Sequence, residues 1–170
     1  MRRIRKLLLA ASLALVATAA LATDYTLASG RIRFSTPDSW LRIMQAQGDP
    51  EIMAFQVPDP SPTARDTLAR VTVSSQRVAD IAGFKNVVAL GMDKARTLPG
   101  YRRDAAHSGS TWLAYTAEES GVSQTYVEHY YFTEGHAVQL RCVRPTASQA
   151  GAEWTAAFDQ GCAAIATQLQ

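Results

Sequence analysis

Val122-Ser123-Gln124-Thr125-Tyr126-Val127-Glu128-His129-Tyr130-Tyr131-Phe132 is the run on which the fold turns. Aromatic and β-branched residues dominate it, and neither glycine nor proline interrupts it. Its side chains sort at period two. Tyr126, Glu128, Tyr130 and Phe132 share one face, and Thr125, Val127, His129 and Tyr131 share the other. Turn signals flank it on both sides, Glu118-Glu119-Ser120-Gly121 before and Thr133-Glu134-Gly135-His136 after. Beyond those turns, His107 to Ala117 and Ala137 to Val143 also alternate. Trp112 and Ala114 lie on one face of the first, Leu113 and Tyr115 on the other. The three segments predict an antiparallel meander.

Helical periods bracket the meander. From Ser148 to Leu169, Trp154, Phe158, Cys162, Ile165 and Leu169 recur at three- and four-residue steps and make one apolar stripe. Pro145 ends the strand before it, and Thr146 or Ser148 is the expected cap. Upstream, Asp80 is placed to cap a helix that runs to Leu98 and stops at Pro99-Gly100. Phe84, Val87, Val88, Met92 and Ala95 form its apolar side. Gly83 and Gly91 weaken it and suit close packing against a sheet.

The first half of the chain reads as strands: Tyr25 to Leu27, Arg31 to Ser35, a hairpin over 40–57, and Ala69 to Ser74. Pro58-Asp59-Pro60-Ser61-Pro62 interrupts them as a rigid surface loop. Strands, helix, three strands, helix is an α+β order: a central antiparallel sheet covered by helices.

Residues 1–22 carry an export pattern. A basic start (Arg2, Arg3, Arg5, Lys6) precedes an apolar stretch from Leu7 to about Val16, and Ala20-Leu21-Ala22 offers a small-x-small cleavage site after Ala22. The apolar stretch is short of the ~20 residues that span a bilayer, which argues against a membrane anchor. Residues 23–170 then make one domain, and the expected location is the periplasm. Removing the leader also removes four of the 17 basic residues, leaving 13 against 15 acidic ones. A net charge of +2 becomes about −2, and the case for nucleic acid goes with it.

Two cysteines fall in the exported part. Val138, Leu140 and Cys142 alternate onto one strand face, and Cys162 lies on the stripe of the last helix, so both point into one layer. A Cys142–Cys162 disulfide is the preferred reading, two separate buried thiols the alternative.

The entry phrase Phe34-Ser35-Thr36-Pro37-Asp38-Ser39-Trp40, with the element order around it, resembles the Mog1/PsbP-like families, including their periplasmic DcrB-type group. The resemblance implies an α/β/α sandwich over most of residues 24–169. It also implies mostly non-catalytic work: accessory subunits, adaptors, secretion-associated chaperones and binding modules.

The residues themselves offer little chemistry. Glu128 and His129 face opposite sides of a strand, and Glu134 and His136 flank a turn glycine as solvated groups, so no metal site is read. No Gly-x-Ser-x-Gly elbow exists, bridged cysteines are not nucleophiles, and no cofactor is expected. Glu118-Glu119 reads as a charged hairpin tip. Two candidate partner surfaces remain. One is the mixed face of Thr125, Val127, His129 and Tyr131; the other is the loop carrying Pro58, Pro60 and Pro62. The expectation is a non-catalytic periplasmic module with a protein partner, in its most concrete form an immunity or inhibitor protein against an envelope-targeting effector. The alternatives are an envelope accessory protein of DcrB type, and a small hydrolase or ligand-binding domain.

Overall fold

The computed structural model describes residues 21–170, so most of the export segment expected over residues 1–22 lies outside the described residues. The chain forms β1 (Ala22–Leu27), β2 (Ile32–Pro37), β3 (Leu41–Ala46), β4 (Glu51–Gln56), β5 (Arg70–Arg77), α1 (Ile81–Arg96), β6 (Arg102–Asp104), β7 (Trp112–Glu119), β8 (Val122–Thr133), β9 (His136–Pro145) and α2 (Gly151–Gln168). Seven strands join one antiparallel sheet in the order β3-β4-β5-β9-β8-β7-β6, and β1 and β2 form a separate hairpin. Two-residue turns at Ser120-Gly121 and Glu134-Gly135, with positive φ throughout, close β7–β8 and β8–β9. That is the turn geometry whose twist matches paired strands.

Helices lie on both faces of the sheet. α1 packs on β8 and β9, over a core of Leu113, Tyr115, Tyr126, Tyr130 and Ala137. α2 packs on β9 and on β2, over Phe34, Phe55, Val71, Val73, Val138 and Leu140. The Cys142–Cys162 disulfide crosses this second layer, with its Cα atoms 6.4 Å apart. Asp80 caps α1 by accepting the Gly83 N–H at 2.8 Å.

The largest departures from the sequence expectation are two shifted element starts and one added strand. The predicted strand start at His107 is a turn: the Asp104 carboxylate accepts the N–H groups of Ala106 and His107. Ser108 Oγ donates to Asp104 O and accepts the Ala114 N–H, so β7 begins only at Trp112. Just ahead of that turn, Arg102–Asp104 pairs as the edge strand β6. α2 starts at Gly151, because Thr63 Oγ1 takes the Gln149 N–H and Ser148 Oγ takes the Ala150 N–H. Those side-chain bonds hold 148–150 outside the helix.

The proposed cleavage point sits at the start of β1. Leu21 O accepts the Asp38 N–H and Ala22 pairs with Pro37, while Thr23 Oγ1 donates to Asp38 at 2.6 Å.

Candidate functional site: an aromatic shelf beside the second helix

α2 covers β9 but not the strands beyond it, so the α2-side face of β8 and β7 forms a half-open shelf. Thr125, Val127, His129 and Tyr131 all stand on it, each half-buried. Trp112 of β7 lies opposite His129 in the pairing register and joins them. The Trp112 and His129 rings are 6.1 Å apart and 8° from parallel; His129 and Tyr131 are 6.2 Å apart and 6° from parallel. The result is a row of three aligned rings. Gly109 lets the row begin where it does, because a Cβ there would lie 2.2 Å from Trp112 Nε1. The Gly109 N–H also donates to Trp112 O at 2.8 Å, which holds the turn against the ring.

The shelf is uncharged at its centre. Burial holds the His129 imidazole below its ordinary value and pushes the Tyr131 phenol above its own, so both are neutral at neutral pH. Between the shelf and α2 runs a groove of about 140 Å³, bounded by Thr125, Val127 and His129 on one side and Asp159 and Ala163 on the other. The disulfide forms part of its lining. Arg144 closes the groove with a two-pronged bond to Asp159, at 2.8 and 2.9 Å. That geometry fixes the spacing of helix and strand.

The proline loop is exposed at Pro58, Pro60 and Pro62, and it is tied to the start of α2. Trp154 Nε1 donates to Pro58 O at 2.8 Å, and Ser61 and Ser148 donate to the Asp59 carboxylate. Burial pushes the Asp59 carboxyl up, but the Ser61 and Ser148 hydrogen bonds outweigh it and leave it below its ordinary value. The loop does not extend the shelf. Pro58, Trp40 and Trp154 line a cleft on one flank of α2, the shelf lies on the other, and Phe158 lines both. The two surfaces read from the sequence are separate.

On the opposite face of β8 the structure assembles a cluster that sequence reasoning missed. Glu128 is 1% exposed. Tyr115 donates to its Oε1 at 2.7 Å; Tyr130 and Gln139 donate to its Oε2 at 2.6 and 2.8 Å. Arg141 stands directly across the β8–β9 ladder, with Nε 2.9 Å from Oε1. That nitrogen is out of line for a hydrogen bond, so the pairing there is coulombic; Nη2 donates instead to the Tyr115 hydroxyl at 3.0 Å. Burial first, and the Glu128 charge second, push the Tyr115 and Tyr130 phenols far above their ordinary value. A carboxylate engaged on both oxygens ties β7, β8 and β9 together. The sequence signal was a lone carboxylate in an aromatic strand face; its partner was hidden in register.

Two smaller expectations change, and a third position is refined. His136 is not solvated: it is buried, and its Nδ1–H donates to Glu134 O at 3.0 Å. Glu119 is not a free hairpin tip, since it pairs with Arg70 at 2.7 Å and accepts from Tyr126. Phe132 keeps its predicted face but lies at the sheet margin, 41% exposed against Phe84. Among the described residues, no three His, Cys, Asp or Glu side chains converge as a metal site would require, and no helix is long and apolar enough to cross a membrane.

No described protein family matches the chain, and no curated protein matches it. Solved structures do. PA94 of Pseudomonas aeruginosa, a protein of unknown function, superposes with a TM-score of 0.50 at 18% identity, over 88% of this chain and 95% of its own. LpqN of Mycobacterium tuberculosis, involved in cell envelope biogenesis, gives 0.49 at 13% identity, over 88% of this chain and 83% of its own. The first likeness establishes a shared α+β fold.

Proposed function

We propose that the chain is a non-catalytic protein-binding module of the bacterial periplasm, with the aromatic shelf as its docking face. The carrying observation is the row Trp112–His129–Tyr131, half-exposed, aligned and uncharged. Rings already held in place lose little rotamer freedom on binding, and neutral groups are cheap to desolvate. The disulfide and the Arg144–Asp159 clamp hold the groove beside the row at one width. The finer fold assignment belongs to the same reading: a Mog1/PsbP-like sandwich of the DcrB-type group, exported by cleavage after Ala22. In the most concrete version the partner is a toxic effector that acts on the envelope, and this chain is its immunity protein. The accessory-protein reading shares the docking face and differs in the partner.

The test is co-expression with the product of the adjacent gene. A stoichiometric complex that survives Pro60→Ala and is lost in Thr125→Arg and His129→Asp, with melting temperatures retained, supports the shelf. A complex indifferent to both shelf substitutions refutes it. Failure of that gene product to bind at all removes the immunity version.

A further inference from the structure

The α2-side face of the sheet changes character at one end. Along β4, β5 and β9 it is apolar at Met53, Phe55, Val71, Val73, Val138 and Leu140. The next positions on the same face are Glu51, Ser75, Arg77 and His136, brought side by side by the pairs Glu51↔Ser75 and Arg77↔His136. The turn after β1 covers this end, with the Ala28 N–H donating to Glu51 Oε2 at 2.6 Å. What remains between them is a cavity of about 360 Å³.

Its lining is built for polar contact. Apart from Ala28 and Gly48, every lining residue is polar or charged. Ser75 is 3% exposed, and its Oγ has no hydrogen-bond partner among the described residues. A buried hydroxyl left unpaired costs free energy, and native proteins rarely keep one without a use. His136 is equally enclosed. Its Nδ1 is committed to Glu134 O, so only Nε2 is left for a further contact. Ala28 and Ser29, on the covering turn, both hold left-handed backbone without being glycine, at φ 52° and 56°. Strain of that kind gathers at ligand sites.

The charges select the ligand. Arg31 and Arg77 supply two guanidinium groups, the first in a loose, exposed 3.9 Å contact with Glu134, and Asp49 and Glu51 two carboxylates. Each carboxylate spends one oxygen on a backbone N–H, that of Arg77 or Ala28. A simple anion would meet both carboxylates, a simple cation both guanidinium groups, and an apolar molecule no apolar wall. A molecule with both charges meets a partner for each. We propose that this cavity binds a small zwitterion of amino-acid or dipeptide size, its carboxylate toward Arg31 and Arg77, its ammonium toward Asp49 and Glu51, with the Ser75 hydroxyl paired by the ligand. It shares no residue with the aromatic shelf and stands apart from the docking proposal.

The experiment is an NMR titration of the exported protein with L-alanyl-L-alanine, its N-acetyl form and its amide. The dipeptide shifts the Ser75 and His136 amide signals saturably at millimolar concentration. Each capped form, lacking one charge, binds at least about tenfold more weakly. Ser75→Ala weakens dipeptide binding while its urea midpoint stays level or rises, since an orphan hydroxyl has been removed. No saturable shift with the dipeptide overturns the proposal, as do capped forms that bind equally well. A Ser75→Ala protein that is less stable and binds unchanged shows that the hydroxyl serves the fold.

Discussion

Replacing Gly91 by alanine sets a helix gain against a collision. In an exposed helix interior the change is worth about 1 kcal/mol of added stability. Here α1 lies over the Tyr130 phenol, and an added Cβ would stand 2.2 Å from its oxygen and 2.9 Å from its Cζ. The ring cannot retreat freely, because its hydroxyl is anchored to Glu128 at 2.6 Å and accepts from Gln139 at 3.0 Å. Overpacking of this kind costs about 1–3 kcal/mol. Pushing the hydroxyl off a charged acceptor adds about 1.5–3 kcal/mol. The net expectation for Gly91→Ala is a loss of about 1.5–5 kcal/mol, a fall in melting temperature of about 3–20 °C at this chain length. The cycle with Tyr130→Phe is the sharper measurement. Without the hydroxyl, the main obstruction and the bond it would break are both gone, so the double variant is much less destabilised than the sum of the singles. Urea unfolding followed by tryptophan fluorescence reads all four proteins. Additive losses, or a Gly91→Ala protein more stable than the parent, would refute the packing argument.

Three further outcomes follow from the same geometry. Intact-mass analysis of residues 23–170 finds no free thiol, and the Cys142→Ala/Cys162→Ala pair lowers unfolding free energy by about 3 kcal/mol for a loop of this length. Glu128→Gln leaves Arg141 without its counter-charge; the arginine keeps 27% exposure, so the loss measured by urea unfolding is about 2–3 kcal/mol, below that of a fully buried pair. Burial holds His129 below its ordinary value of 6.5, so the unfolded chain takes up that proton first. Stability contributed by this group is therefore complete above pH 6.5 and falls as pH drops toward the folded value; His129→Gln flattens that part of the stability–pH curve.

Much of the fold was legible because much of it is local. Alternation marked β8 and both of its faces, and three- and four-residue steps marked the apolar stripe of α2. Asp80 announced the start of α1, and the two positive-φ turns sat where Ser120-Gly121 and Glu134-Gly135 were read. Even the disulfide followed from parity, since Cys142 shares a strand face with Val138 and Leu140 and Cys162 shares a helix stripe with Phe158. The errors came where a side chain from elsewhere intervened. Thr63 capturing the Gln149 N–H shortened α2, and the pairing of β5 with β9, which sets Arg77 across from His136, enclosed an imidazole read as solvated.

Local patterning dictates which faces exist: an aromatic and a mixed side of β8, an apolar stripe on each helix, a rigid proline loop. These depend only on periodicity within one segment, which backbone geometry dictates. Tertiary structure alone decided what each face meets. Strand order set β5 beside β9 and brought Ser75, Glu51 and His136 to one cavity; register set Arg141 across from Glu128; and the seat of α2 parted the proline loop from the shelf. Those are contacts between segments far apart in the chain, fixed by which layers bury most apolar surface together, and no spacing within a single segment encodes them.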